Sequence, residues 1–319
     1  MTIAFYDTAQ VEELLDYPGC IPAMRRAMTA LSSGERPQPL RQIFTVGEGQ
    51  MFGTMPGELA ALSTFGAKLV SVFGDPQRPG RSRHQGVVVA YDGETGAVRC
   101  IADAEPVTMI RTGCATAAAT DALARSDADV LAIFGTGIQA EAHLRAVPLV
   151  RPFREILLWG RSADKAREFA DRMSSEIGRP ITAVADAREA AVRADVICTV
   201  TSSAEPVVLS DWVKAGTHVN LVGSSYLGPV EVDSALVAKA RYFADYRPGV
   251  LAQAAELAVA REAGLVDDSH VVGEIGEVFA GRLAARENDR QITIYKSLGH
   301  VAQDLGAVAY MHERATGGR

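Results

Sequence analysis

The feature that most constrains this 319-residue chain is a run of five apolar residues, Val130-Leu131-Ala132-Ile133-Phe134, that runs into Gly135-Thr136-Gly137-Ile138-Gln139-Ala140. A strand that is apolar at every position has no polar side to give to water, so both its faces must be covered. The turn that follows fits G-x-G-x-x-A at the junction of a strand and a helix. Gly135 permits the tight turn, and Gly137 lets backbone N–H groups approach a pyrophosphate. Ala140 keeps the helix close to the sheet, with its N-terminus facing the phosphates. Glycine is common here, at 29 residues, so the match alone is weak. Its position between strand and helix makes it specific for a dinucleotide, NAD(P)H, held by Gly135, Thr136, Gly137, Ile138 and Gln139.

Around this turn the chain alternates. An alanine-rich helix over 113–125 precedes it, and a helix running to about Val147 follows. Strands are then expected at 156–159, 181–184, 196–200 and 217–222, with helices over 163–177 and 187–194 and a late strand at 292–295. Alternating strands and helices imply a parallel sheet covered on both faces, the doubly wound Rossmann arrangement. The first third has another rhythm. Apolar spacing from Val11 to Ser33 predicts a helical opening broken by Pro18. Short strands are expected at 42–46, 59–62, 67–72, 87–91 and 97–102, the last two joined at Asp92-Gly93-Glu94-Thr95-Gly96. The fold class is therefore α/β: a Rossmann doubly wound parallel sheet domain over 115–299 and a smaller α+β domain over 1–114. A C-terminal helix, 300–319, is expected to return to the smaller domain.

The residue closing the second strand of such a domain selects the cofactor. An acid there would bind the ribose 2′-hydroxyl of NAD. This chain has Gly160-Arg161-Ser162 instead, and Arg161 with Ser162 suits a 2′-phosphate, a lean toward NADP. Arg161 stacked on adenine would suit either dinucleotide. Thr201, at the end of the strand 196–200, lies where ligands of doubly wound sheets collect.

Composition excludes several classes. Hydrophobic residues make up 48% and charged residues 22%, ordinary globular values, and the net charge is −7. An acidic chain has no broad electrostatic hold on nucleic acid or an anionic membrane. No apolar run reaches the roughly 18 residues of a membrane span. The N-terminus has neither a basic start nor an apolar core, which predicts no signal peptide. Four cysteines lie scattered without a C-x-x-C pair, which reads as reduced, cytoplasmic and metal-free.

Against that acidic background several basic residues stand at strand ends and short loops of the first domain: Arg41, Lys68, Arg111 and the group Arg78, Arg81, Arg83 and His84. An anionic substrate beside a nicotinamide needs such groups, because guanidinium forks hold carboxylates and a lysine is a point charge or proton donor. A single surface arginine is more often merely solvated. Lys68 is less ordinary, since it interrupts an apolar stretch, and Arg111 sits just before the alanine-rich helix. His300 and Asp304, four residues apart near the last helix, are further candidates, the ordinary reading of Asp304 being a cap or salt bridge.

Taken in order, these residues resemble the ornithine cyclodeaminase/mu-crystallin family over nearly the whole chain. The resemblance rests on Met55-Pro56, on Lys68 beginning its strand, on His84-Gln85-Gly86 and on Ile110-Arg111-Thr112. It continues through the turn ending in Gln139-Ala140, Val222-Gly223, Tyr295-Lys296-Ser297-Leu298-Gly299 and Gln303-Asp304-Leu305. It implies a homodimer built on the first domain, which also binds the substrate, and a nicotinamide cofactor that Thr112 and Ser297 help to hold. It implies too that Arg41, Lys68 and Arg111 hold the α-carboxylate of an amino or imino acid, with Lys68 near the reacting carbon. The developing amine needs a proton-donating neighbour, and Lys68 and His84 are the candidates. The cyclodeaminases of the family carry an aspartate two residues after the glycine of the Val-Gly pair, and Ser225 occupies that place here. A serine hydroxyl is no general base at neutral pH unless activated. The expectation is therefore an NAD(P)H-dependent reductase of a small α-imino acid, ketimine or iminosuccinate, or the reverse amino-acid dehydrogenase. A cyclodeaminase with tightly bound NAD and a non-catalytic, crystallin-like binding protein are the alternatives.

Overall fold

A computed structural model describes residues 3–73 and 84–317. The chain forms two compact units, one running to Arg111 and resuming at His300, the other spanning Thr112–Gly299.

In the first unit, β1 (Ala4–Tyr6) leads into α1 (Thr8–Leu14) and α2 (Tyr17–Ser32). The helical opening is in two pieces, but Pro18 does not make the break. The carboxylates of Asp7 and Asp16 cap the two helices, and Pro18 sits in the first turn of α2, where a missing N–H costs nothing. The sheet follows: β2 (Gln42–Gly47), β3 (Gln50–Leu59), β4 (Thr64–Phe73), β5 (His84–Asp92) and β6 (Val98–Asp103), in the order β1-β6-β5-β4-β3-β2. All neighbours are antiparallel except β1 with β6. The expected strand over 59–62 is instead the end of β3 and a 3-10 turn, Ala60–Leu62. The ten-residue β3 escapes the sequence pattern because it contains Gly53, Pro56 and Gly57. Pairing with β2 stops at Thr54, so at Pro56 the strand has β4 alone as a neighbour and no ladder bond is lost on the open side.

The C-terminal helix α11 (Val301–Thr316) lies against β3, β4, β5 and α2. Gly57 and Gly66 are paired across β3 and β4. A Cβ on Gly57 would stand 2.4 Å from Val301 Cγ1, and one on Gly66 3.0 Å from Leu305 Cδ2, so the glycine pair is what lets the helix seat closely. The opposite face of the same strands carries aromatic pairs, Phe44 with Phe52 and Phe65 with Tyr91, at ring separations of 5.5 and 5.0 Å. Phe44 and Phe65 are partly exposed, and Phe52 and Tyr91 are half-buried.

The helix α3 (Ala104–Leu123) begins nine residues earlier than the alanine pattern suggests. Asp103 accepts a hydrogen bond from the Glu105 N–H, and Pro106 occupies the first turn, both start signals hidden from a search for periodicity. Arg111 is therefore inside a helix rather than before one.

In the second unit the strands β7 (Val130–Phe134), β8 (Glu155–Trp159), β9 (Thr182–Val184), β10 (Val196–Thr199) and β11 (His218–Leu221) alternate with α4 (Ile138–Ala146), α5 (Ala163–Ile177) and α6 (Ala187–Arg193). Past β11 come α7 (Ser234–Lys239), β12 (Arg241–Ala244), α8 (Arg247–Gln253), α9 (Ala255–Glu262), β13 (Val271–Glu274), α10 (Ile275–Phe279) and β14 (Thr293–Lys296). The sheet is wholly parallel, ordered β13-β12-β14-β11-β10-β7-β8-β9. Read from β9 to β14 this is the doubly wound order, with β7 at the point where the winding reverses. All five residues of β7 are buried, as a strand covered on both faces requires. The segment 223–291 gives only short elements, which is why the sequence pattern leaves it blank.

Candidate active site

In the first unit the fold turns three scattered basic residues into one cluster. Lys68 is buried in the middle of β4, not at its start, and points to the face covered by α11. Its Nζ lies 3.3 and 3.2 Å from the two carboxylate oxygens of Asp304 and 3.4 Å from Thr108 Oγ1. Arg111 stands three residues after Thr108 on α3, hence on the same helix face. Its Nε donates to Asp304 Oδ1 at 2.9 Å, and another guanidinium nitrogen donates to Gln303 Oε1. Lys68, Arg111 and Asp304 are at most 6% exposed.

Burial pushes the Lys68 ammonium down to about 8 against the pull of Asp304, with Arg111 and Arg41 adding repulsion. Burial likewise pushes His300 down to about 4, with Arg41, Arg111 and Lys68 all acting against its charged form. His300 is thus neutral at neutral pH and caps α11, its Nδ1 accepting from the Ala302 N–H. Lys68 and Arg111 are two buried cations that share the one carboxylate of Asp304. A buried surplus of positive charge is costly unless an anion joins it. One carboxylate is the smallest ligand that matches the surplus, and the arginine fork and lysine ammonium are the groups that bind it.

The side chain of His84, which opens β5, lies outside the described residues, as do Arg78, Arg81 and Arg83. Sequence reading ranked Asp304 as a bare candidate, yet it organises the cluster. The structure supplies the reason: Asp304 falls in a helix segment, Val301–Val308, that is buried at every position, where an acid must have a partner.

In the second unit the glycine turn has the shape its sequence implies. Gly135 has φ +135°, and its N–H donates to the Trp159 carbonyl at 2.8 Å. A Cβ there would also approach the Val200 carbonyl oxygen to 2.9 Å, so glycine is required. Gly137 is the N-cap of α4 and gives the helix no side-chain cap. Nothing lies within 4 Å of where its Cβ would be. An uncapped helix start over open space suits a phosphate. The Ser297 hydroxyl, just past β14, is buried and has no hydrogen-bond partner among the described residues. These features fit a dinucleotide, with the turn for its pyrophosphate and Ser297 for a polar group of its second half.

The other cofactor candidates divide. Arg161 and Ser162 are exposed after β8, with Ser162 capping α5. Thr112 is buried on α3. Thr201 has both its N–H and its hydroxyl turned to the buried Glu231 carboxylate, at 2.6 and 2.8 Å. Its hydroxyl therefore serves the protein. Among the described residues no group of histidine, cysteine or acidic side chains has metal-binding geometry, and no helix is long and apolar enough to cross a membrane.

The profile described as "Ornithine cyclodeaminase/mu-crystallin family" matches residues 2–319. A Delta(1)-pyrroline-2-carboxylate reductase of Bacillus cereus is 34% identical over 82% of this chain and 80% of its own. The mouse ketimine reductase mu-crystallin is 30% identical over 99% and 98%. Among solved structures, the Thermococcus litoralis Delta(1)-pyrroline-2-carboxylate reductase in complex with NADH and L-proline superposes with a TM-score of 0.92. It is 31% identical, over 99% of this chain and 98% of that one.

Proposed function

Since the chain belongs to the ornithine cyclodeaminase/mu-crystallin family, we propose that it reduces a small α-imino acid to the L-amino acid with NAD(P)H, a cyclic ketimine of the pyrroline-2-carboxylate type being the favoured substrate. It is an NAD(P)-dependent oxidoreductase acting on C=N bonds, in the reductase branch of the family. The observation that carries this reading is the buried positive surplus around Lys68, Arg111 and Asp304, which calls for a carboxylate.

When bound, the reduced nicotinamide supplies a hydride. Arg41 and Arg111 hold the substrate carboxylate, and Asp304 keeps Arg111 and Lys68 from swinging away from it. The imine nitrogen gains a proton as its carbon gains the hydride. Lys68, brought down to about 8 by burial, is protonated at neutral pH yet gives up its proton more readily than a solvated lysine. His84 is the other candidate donor. The turn Gly135–Gln139, with Thr112 and Ser297, would hold the dinucleotide, and the exposed Arg161 and Ser162 favour the 2′-phosphate of NADPH. The uncovered aromatic face carrying Phe44, Phe52, Phe65 and Tyr91 supports a dimer through the first unit, since an exposed apolar sheet face marks an interaction surface.

The test is absorbance at 340 nm with NADH and, separately, NADPH. The panel is five- and six-membered cyclic ketimine carboxylates, with pyruvate or oxaloacetate plus ammonia or methylamine. Oxidation of cofactor with a cyclic ketimine is the expected result. No oxidation with any acid, together with ammonia release from ornithine, would overturn the reductase reading in favour of a cyclodeaminase.

A further inference from the structure

Glu231 is a fully buried acid that the reaction outlined above does not use. Its two oxygens accept four hydrogen bonds from two different loops. Oε1 takes the Thr201 N–H at 2.6 Å and the Thr201 hydroxyl at 2.8 Å, and Oε2 takes the Thr199 hydroxyl and the Gly223 N–H, both at 2.8 Å. Thr199 ends β10, Thr201 lies two residues past it, and Gly223 follows β11. The packing leaves no slack, because a Cβ on Gly223 would stand 2.0 Å from the Thr201 carbonyl oxygen and 2.5 Å from Glu231 Oε1. Behind it, Glu256 accepts from the Glu231 N–H and pairs with Lys296 at 2.9 Å. The Lys296 ammonium in turn donates to the Ser224 carbonyl at 2.6 Å. Three consecutive loop ends, after β10, β11 and β14, are thereby tied to one buried charge network.

In the doubly wound order the first half of the sheet, β7-β8-β9, receives the adenosine half of a dinucleotide, and the strands on the other side of β7 receive the second mononucleotide. We propose that Glu231 is a positioning residue for the nicotinamide-bearing half of the cofactor. It touches no ligand. It holds the Thr201 and Gly223 backbones in the shape that half requires, leaving the adenosine half to the glycine turn and Arg161. A carboxylate suits this because all four of its partners are donors. An amide in its place would turn an N–H₂ toward donors and release one loop. The proposal rests on the dinucleotide-binding part of the reading above and not on the identity of the imino acid.

The test compares wild-type protein with Glu231→Gln and Thr201→Val, using AMP as a probe of the adenosine half and NADH and NADPH as whole ligands. Melting temperature is followed in parallel. Losing charge-assisted hydrogen bonds predicts that Glu231→Gln weakens dinucleotide binding about tenfold or more. AMP affinity stays at the wild-type value, and the KM for the imino acid changes far less than that for the dinucleotide. Thr201→Val, which keeps the N–H bond and loses the hydroxyl bond, shows the same split at smaller amplitude. Equal losses for AMP and dinucleotide, or unchanged dinucleotide affinity in a folded Glu231→Gln protein, would overturn the proposal. If Glu231→Gln does not fold, the split in Thr201→Val decides. A wild-type protein that binds dinucleotide but reduces no imino acid would sink the proposed function and leave this inference standing.

Discussion

The two units use buried charge in opposite ways. In the first, basic side chains crowd around one carboxylate, Asp304, and the surplus is positive. In the second, buried acids hold backbone N–H groups: Glu231 takes those of Thr201 and Gly223, and Asp245 takes those of Leu298 and Gly299, the last two both at 2.8 Å. A small carboxylate offers few contacts and must be met by full charges on side chains. A dinucleotide is long, and its phosphates are met by backbone amides at a helix start, so the protein's task is to shape the backbone. On the proposed function, the first unit presents its charges to the ligand and the second applies them to its own loops. Side-chain removal should hurt chemistry in the first unit and cofactor affinity in the second.

The largest effect that would sharpen this contrast is expected at Lys68. Lys68→Met should lower kcat/KM for the imino acid by about a thousandfold, while the Kd for NADH measured by fluorescence stays within twofold. A matching loss of NADH affinity would break the division of labour. Asp304→Asn comes next. It leaves Lys68 and Arg111 buried without their counter-charge, and unfolding by urea should show a loss of about 3 kcal/mol. Added product amino acid should restore part of that stability, by an amount that rises with its concentration. Gly137→Ala should be silent for stability, since its φ of −100° suits alanine and nothing stands in the way. It should weaken NADH binding about tenfold by placing a methyl where the pyrophosphate approaches. An unchanged Kd would remove the glycine turn from the cofactor site.

The pH profile is a smaller effect with a defined sign. Lys68 holds its proton below about 8 and loses it above, so a rate that uses that proton should fall as pH rises through about 8. NADH affinity should stay flat over the same range. The folded state binds fewer protons than the unfolded one between about 8 and the ordinary lysine value of 10.5. The burial cost of the charged lysine is thus present below 8 and relieved within that window, and stability should gain there. The smallest effect is expected at Arg161→Ala, which should lower the NADPH-to-NADH preference by severalfold and leave the Lys68-dependent step untouched.

Local physics was legible wherever one element settles its own fate. The helix over 163–177 and the strand 130–134 appear where their spacing puts them, because an amphipathic stripe and an all-apolar strand each admit one solution. The reading failed where a neighbour decides. β3 is a strand because β4 pairs along its whole length, despite Pro56 and two glycines. α3 starts at Ala104 because Asp103 caps it, not because alanines begin there. At the site, Arg41, Lys68 and Arg111 stood out as basic residues in an acidic chain, whereas the role of Asp304 needed α11 laid across β4.

From residue order alone followed the class of fold, the glycine turn between strand and helix, and Lys68 as a charge inside an apolar stretch, since these depend on neighbours within one turn or one strand. The tertiary structure alone decided that Lys68, Arg111 and Asp304 meet, at sequence separations of 236 and 193 residues, and that Glu231 binds two loops at once. Contacts so distant leave no periodicity in the chain. The steric fit that brings them together, a glycine pair beneath a helix or a Gly223 with no room for a Cβ, exists only once the elements have packed.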